Sequence, residues 1–153
     1  MDVIIEPSVA KGNITAPPSK SYAHRMMICA ALAKGESTVA GISQSQDMLA
    51  TLNCIKSLGA TYSLDGDVLS INGDTCLTQD FKSFNCNESG STLRFFIPLS
   101  LLFCNKASFT GTQRLLQRGI GVYEKLFKSK GINVDISQNE ITLTGSLSAG
   151  EYE

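Results

Sequence analysis

The chain has 153 residues, 42% hydrophobic and 18% charged, an ordinary globular composition with enough length to bury a core in one domain or a little less than two. Its 13 basic and 14 acidic residues leave a formal charge of −1, without the basic excess needed to grip a nucleic acid backbone, so no nucleic acid partner is expected. Cys29, Cys54, Cys76, Cys86 and Cys104 are odd in number and none has C-x-x-C spacing, which argues against a disulfide framework or a zinc site and for a reducing, cytoplasmic setting.

Residues 1–6 lack the basic start and long apolar stretch of a signal peptide. The longest apolar run, 95–104, falls short of a bilayer span and contains Pro98 and Ser100, so no membrane role is expected. Short strands are expected at residues 3–5 and 13–15. Then comes Pro17-Pro18-Ser19-Lys20-Ser21-Tyr22-Ala23-His24-Arg25, which leads into a helix over about 21–34 that continues as an unbroken apolar run, the mark of a buried helix, and stops at Gly35. Lys20 and Arg25 stand against the positive end of that helix, at a cost of roughly 0.3–1 kcal/mol per charge. An anion bound there by free backbone N–H groups, Ser19, Ser21 and the two cations removes the cost, so this segment is expected to form an anion pocket. His24 has no carboxylate beside it in sequence and is expected to be packed or solvent-facing rather than a base.

A strand over 37–41 precedes a helix over 46–58, with Met48, Leu49, Leu52, Ile55 and Leu58 on one side, Asp47 favourable at its start and Gly59 as its stop. Strands at 60–64 and 68–71 form a hairpin around Asp65-Gly66-Asp67. The second half follows the same order: helix 90–104 with a kink at Pro98, strand 107–110, helix 121–130 ended by Gly131, and strands 132–136 and 140–143. Gly41 and Gly111 are 70 residues apart; Gly59 and Gly131, and Gly73 and Gly145, are 72 apart. Each half therefore reads as a βαβαββ unit once a leading strand is added, a period that suits duplication of a small α/β unit. The fold class is α/β (α+β). The last residues, 150–153, are expected to open another strand, which makes the chain look cut short.

Two further loops carry cations. Asn85-Cys86-Asn87-Glu88-Ser89-Gly90-Ser91-Thr92-Leu93-Arg94 has capping residues and glycine at a helix start, where a ligand can approach the backbone. In Gly111-Thr112-Gln113-Arg114-Leu115-Leu116-Gln117-Arg118-Gly119 two arginines four apart share a side if the loop is helical; a solvated basic loop is the plainer reading. No carboxylate pair and no Ser-His-Asp order stands out for proton transfer.

Together these segments resemble the enolpyruvyl transferase family, in particular its branch acting on shikimate 3-phosphate. Ser19-Lys20-Ser21 with Arg25, Glu88-Ser89-Gly90-Ser91 with Arg94, and Gly111 with Arg114 and Arg118 are similar, in order and spacing, to its three N-terminal motifs. The resemblance implies transfer of the enolpyruvyl group of phosphoenolpyruvate to shikimate 3-phosphate with release of phosphate, through a tetrahedral intermediate and without cofactor. It implies Lys20, Ser21 and Arg25 on shikimate 3-phosphate, Lys20, Gly90 and Arg118 on phosphoenolpyruvate, and Asp47, Arg94 and Arg114 as supports. It also implies a two-lobed inside-out barrel of repeated βαβαββ units. On that scheme residues 1–15 are leading strands, the first belonging to the second lobe, and 16–153 are a partial first lobe with units at about 16–74 and 75–146 and the start of a third. The proton-transferring residues are expected in the second lobe, so the chain alone should not turn over; the whole enzyme is expected to be a monomer and the piece to self-associate. The chain departs from the pattern at Pro18, His24, Glu88, Phe95 and Gly119, and Glu88 is expected to pair with Arg94 or Arg114 so as not to repel the ligand. The sister branch with a UDP-sugar acceptor has a reactive Cys in the third loop, absent between Thr112 and Arg118. A stand-alone phosphate- or RNA-binding βαβαββ module is the alternative from another class, disfavoured by the acidic balance.

Overall fold

Four helices begin where a Ser or Thr oxygen takes up a free backbone donor. Ser19 caps α1 (Lys20–Leu32), Ser45 caps α2 (Gln46–Leu58), Ser89 caps α3 (Gly90–Ser100) and Thr112 caps the short α4 (Gln113–Gln117). Each accepts from the N–H three residues on, at 3.3–3.4 Å. The computed structural model describes residues 3–4, 6–9, 11–74, 76 and 79–152.

The strands fall into two sheets. In the first, β1 (Glu36–Val39), β2 (Thr61–Asp65) and β3 (Val68–Asn72) lie in the order β1-β3-β2, all antiparallel. In the second, β4 (Gln79–Asn85), β5 (Cys104–Thr110), β6 (Asn133–Ile136) and β7 (Ile141–Thr144) lie in the order β4-β5-β7-β6. β4 and β5 are parallel, so the chain must cross over between them, and α3 is that crossover. The remaining helix, α5 (Gly121–Ser129), sits between β5 and β6 in the chain as α2 sits between β1 and β2.

The duplication is written into strand register. Ser37 faces Ile71 across β1 and β3, and Ala107 faces Leu143 across β5 and β7. Tyr62 faces Ile71, and Val134 faces Leu143. These partners differ by the same 70 and 72 residues as the landmark glycines. Gly59 and Gly131 both follow a helix with positive φ, at 112° and 72°, the left-handed turn that glycine adopts without strain.

One core joins the two sheets. Phe84 stacks on Phe109 at 5.1 Å between ring centres and tilts against Phe96 at 5.6 Å, binding β4, β5 and α3 together. α2 buries Met48, Thr51, Leu52, Ile55 and Leu58 at helical spacing, whereas Leu49 is exposed.

Several expectations are corrected. Residues 13–15 form no strand, and neither do Val3 and Ile4; Ile5 lies outside the described residues. Val3, Ile4 and Ile14 are exposed, with no described strand beside them to satisfy an extended backbone. α1 buries only His24, Met27, Ala30 and Ala31, because it packs on α2, α3 and the first sheet with one face and leaves Met26, Cys29 and Leu32 exposed. β4 is an addition to the expected elements. Its inward side carries Lys82 as well as Phe84, which breaks the apolar alternation of a strand; the Lys82 ammonium donates to Ser57 O at 3.2 Å and Leu58 O at 3.0 Å, where α2 ends. α3 stops at Ser100 and runs through Pro98 without a break. Residues 150–152 form no strand, and Glu153 lies outside the described residues.

Candidate functional site

The β4–α3 loop and the β5–α4 turn are held side by side by their backbones. Cys86 N–H donates to Thr110 O at 2.8 Å and Thr112 N–H donates to Asn87 O at 2.7 Å. Asn87 adopts φ 50°, which asparagine tolerates, and its own N–H is taken by Asn85 Oδ1 at 2.9 Å. The approach is so close that a Cβ on Gly111 would lie 2.5 Å from Asn87 O. Only glycine fits there.

This docking creates a cavity of about 400 Å³ lined by Asp47, Glu88, Ser89, Gly90, Ser91, Arg94, Thr112, Arg114, Leu115 and Arg118. The first two N–H groups of α3, on Gly90 and Ser91, have no partner among the described residues, as expected of a helix start. A Cβ on Gly90 would lie 3.3 Å from Arg94 Nη2 and 3.4 Å from Arg118 Nη1, so the missing side chain leaves a space between two guanidiniums. Arg94 is steadied by donating from Nε to Gly90 O at 3.0 Å. Three arginines face two carboxylates around this cavity, and Asp47 is already engaged by Lys20 at 3.2 Å. A small polyanion fits this balance: planar forks for its oxygens, two helix-start donors, and a positive local field.

The sequence candidates separate into two groups. Gly90, Arg94, Arg114, Arg118 and Asp47 come together in the cavity, with Lys20 joined through Asp47. The α4 turn places both Arg114 and Arg118 on the cavity, so the basic segment is not merely a solvated loop. Ser21 and Arg25 are not part of its lining. Arg25 lies on α1, donating to Ser21 O at 2.6 Å with its guanidinium 4.9 Å from the centre of the Phe95 ring. Glu88 lines the cavity but forms no ion pair; among the described residues the one ion pair is Lys20–Asp47. The pairing with Arg94 or Arg114 is thus not formed, since Arg94 turns back onto its own helix.

His24 is packed, as expected, with Nδ1 2.7 Å from Thr51 Oγ1, and burial holds its pKa below the ordinary 6.5. Residues to which the sequence gives no ligand role also build the site, three of them inside the motif loops and one, Tyr123, outside them. Ser89 caps α3, Ser91 and Thr112 line the cavity, and Tyr123 donates its hydroxyl to Arg94 O at 2.9 Å. That carbonyl is the one Pro98 cannot reach for lack of an N–H, so α5 supplies the missing donor. The signal for Ser89 is present in sequence as a cap ahead of Thr92; nothing local points to Tyr123. Among the described residues no group of three or more His, Cys, Asp or Glu is placed to hold a metal ion. No helix among them is long and apolar enough to cross a membrane.

The family model for EPSP synthase (3-phosphoshikimate 1-carboxyvinyltransferase) matches residues 5–150. The chain belongs to the EPSP synthase family. It is similar to the 3-phosphoshikimate 1-carboxyvinyltransferase of Clostridium perfringens strain SM101, at 44% identity over 99% of this chain and 36% of that one. It is also similar to the protein of that name from Clostridioides difficile strain 630, at 36% identity over 97% of this chain and 37% of the other. The EPSP synthase of Acinetobacter baumannii, in a structure at 2.37 Å, shares the fold with TM-score 0.73 and 22% identity, over 88% of this chain and 32% of that one. The chain spans about a third of the length of these EPSP synthase relatives.

Proposed function

We propose that this chain is the part of an EPSP synthase that gathers the two anionic substrates, phosphoenolpyruvate and shikimate 3-phosphate, for enolpyruvyl transfer in the cytoplasm. The observation that carries it is the space over Gly90, between the guanidiniums of Arg94 and Arg118 and in front of the open N–H groups of α3. Phosphoenolpyruvate is assigned to that space, with Gly90 and Arg118 in contact and Arg94, Arg114 and Asp47 supporting them. Lys20, held over Asp47, stands at the border and reaches both substrates; Ser21 and Arg25 on α1 take shikimate 3-phosphate. The overall exchange is balanced: the acceptor's 5-hydroxyl oxygen bonds to C2 of phosphoenolpyruvate, the bond from C2 to the phosphate oxygen breaks, and inorganic phosphate leaves with the proton. The residues that move that proton belong to the remaining two thirds of the enzyme. On this reading the first of the leading segments within 1–15 belongs to that second lobe, and about 16–74 and 75–146 are two units of the first lobe, followed by the start of a third whose strand is not formed at residues 150–152.

Calorimetric titration tests this. The chain is expected to bind shikimate 3-phosphate and phosphoenolpyruvate weakly, each raising the affinity for the other, and to release no phosphate. Binding of RNA with a steep salt dependence and of neither substrate would instead make the chain a nucleic acid module.

A further inference from the structure

A buried line of hydrogen bonds runs from His24 on α1 to the cap of α3. His24 Nδ1 is 2.7 Å from Thr51 Oγ1, Thr51 Oγ1 is 2.7 Å from Thr92 Oγ1, and Thr92 Oγ1 is 2.7 Å from Ser89 Oγ. All four residues are at most 2% exposed, and Ser89 lines the cavity. We propose that the Ser89 hydroxyl is a further donor to the bound anion, and that His24 is a positioning residue which leaves that proton free by donating from Nδ1 to Thr51. The proposal rests on the reading of the cavity as an anion site.

Proton counting carries it. Each hydroxyl owns one hydrogen, and each of the three short contacts needs one. If Nδ1 is bare, Thr51 must donate to it. Thr92 must then donate to Thr51, and Ser89 to Thr92, so the Ser89 proton is spent inward. If Nδ1 carries the hydrogen, Thr51 accepts from it and is free to donate onward to Thr92, and Thr92 to Ser89. Ser89 Oγ then accepts from Thr92 Oγ1 and from Thr92 N–H at 3.3 Å, leaving its own hydrogen for the cavity. Thr51 has one other acceptor, Asp47 O at 3.2 Å, and a ligand oxygen in the cavity selects the outward line over that contact. Two tautomers of a neutral ring therefore differ in what the site offers a ligand. Burial favours the neutral ring. The charged groups facing it are Asp47, which opposes that effect, and Lys20 and Arg25, which reinforce it.

The test uses the 153-residue chain with phosphoenolpyruvate as probe. In the saturated complex, nitrogen-15 spectra of His24 are expected to show the Nδ1–H tautomer; a bare Nδ1 overturns the proposal, because it consumes the Ser89 proton. Ser89→Gly keeps an acceptable helix cap while removing the hydroxyl, so the chain is expected to stay folded. It is expected to weaken phosphoenolpyruvate by roughly tenfold to a hundredfold, the worth of one hydrogen bond to a charged group. A folded Ser89→Gly chain that binds as well as the parent overturns the relay and leaves the anion site standing. A parent chain that binds no phosphoenolpyruvate overturns both.

Discussion

Gly90→Ala separates binding from folding. An added Cβ meets Arg94 Nη2 at 3.3 Å, Arg118 Nη1 at 3.4 Å and Leu115 Cδ1 at 3.9 Å. The two tight neighbours are the ends of flexible side chains, which yield by a few tenths of an ångström without moving the backbone. Gly90 is the first residue of α3, and alanine there costs less entropy on folding than glycine, by at most about 1 kcal/mol. Stability is therefore expected to hold or rise, with a melting temperature unchanged or higher by about 2–4 °C. The methyl group, however, fills the space in which an oxyanion would accept from both guanidiniums. Losing one charge-assisted bond removes about 1.5–3 kcal/mol, which weakens phosphoenolpyruvate by roughly tenfold to a hundredfold. Calorimetry beside a thermal melt reads both effects. A Gly90→Ala chain that melts normally and binds phosphoenolpyruvate with parental affinity would refute the assignment of the anion to this space.

The remaining predictions concern folding and reactivity. Gly111→Ala forces a Cβ to within 2.5 Å of Asn87 O and 2.9 Å of Leu115 Cδ2, so a loss of about 1–3 kcal/mol in urea unfolding is expected, together with lost anion binding; parental stability would contradict the docked loops. Lys82→Ala leaves the Ser57 and Leu58 carbonyls without their donor and opens a hole under β4, costing about 2–3 kcal/mol in urea unfolding, with Lys82→Met recovering part of it. His24 has a folded pKa below 6.5, so the unfolded chain binds more protons as the medium is acidified. Its contribution to stability is complete above about pH 6.5 and is lost as pH falls towards the folded pKa, and His24→Asn should flatten melting temperature across that window. Exposed Cys29 should react first with a thiol reagent. Cys54 should not react in the native chain, because its contact with Cys86, 4.0 Å between sulfurs, and its burial both push its pKa up; equal labelling of the two would overturn that packing.

What could be read from the sequence depended on whether the deciding partner was local. α2 has its observed limits because Ser45, Asp47, a helical apolar stripe and Gly59 all act within one turn of its ends. The repeat is legible in glycine spacing and reappears as strand register. β4 is hidden because its inward Lys82 is satisfied by carbonyls 24 and 25 residues away. The opening strands fail for the opposite reason: apolar residues at 3–5 and 13–15 fit a strand pattern, but a strand needs a neighbour, and no described strand lies beside the described residues there. In the site, Gly90 and Arg94 are visible as a helix-start motif. Arg114 and Arg118 read as a solvated basic loop until the resemblance gives them a role, because the short α4 that turns them onto the cavity has no apolar periodicity of its own. The line from His24 to Ser89 is not visible, since its contacts span 27 and 41 residues before reaching the cap.

The central claim is that the cavity between the starts of α2, α3 and α4 holds phosphoenolpyruvate. Proton–nitrogen correlation spectra of the chain, recorded during a phosphoenolpyruvate titration, test it most directly. The account predicts saturable shifts at the Gly90, Ser91 and Thr112 amides and at the Nε–H groups of Arg94 and Arg118, reduced in Gly90→Ala. Saturation with those signals unmoved, and with shifts elsewhere or none, would contradict it.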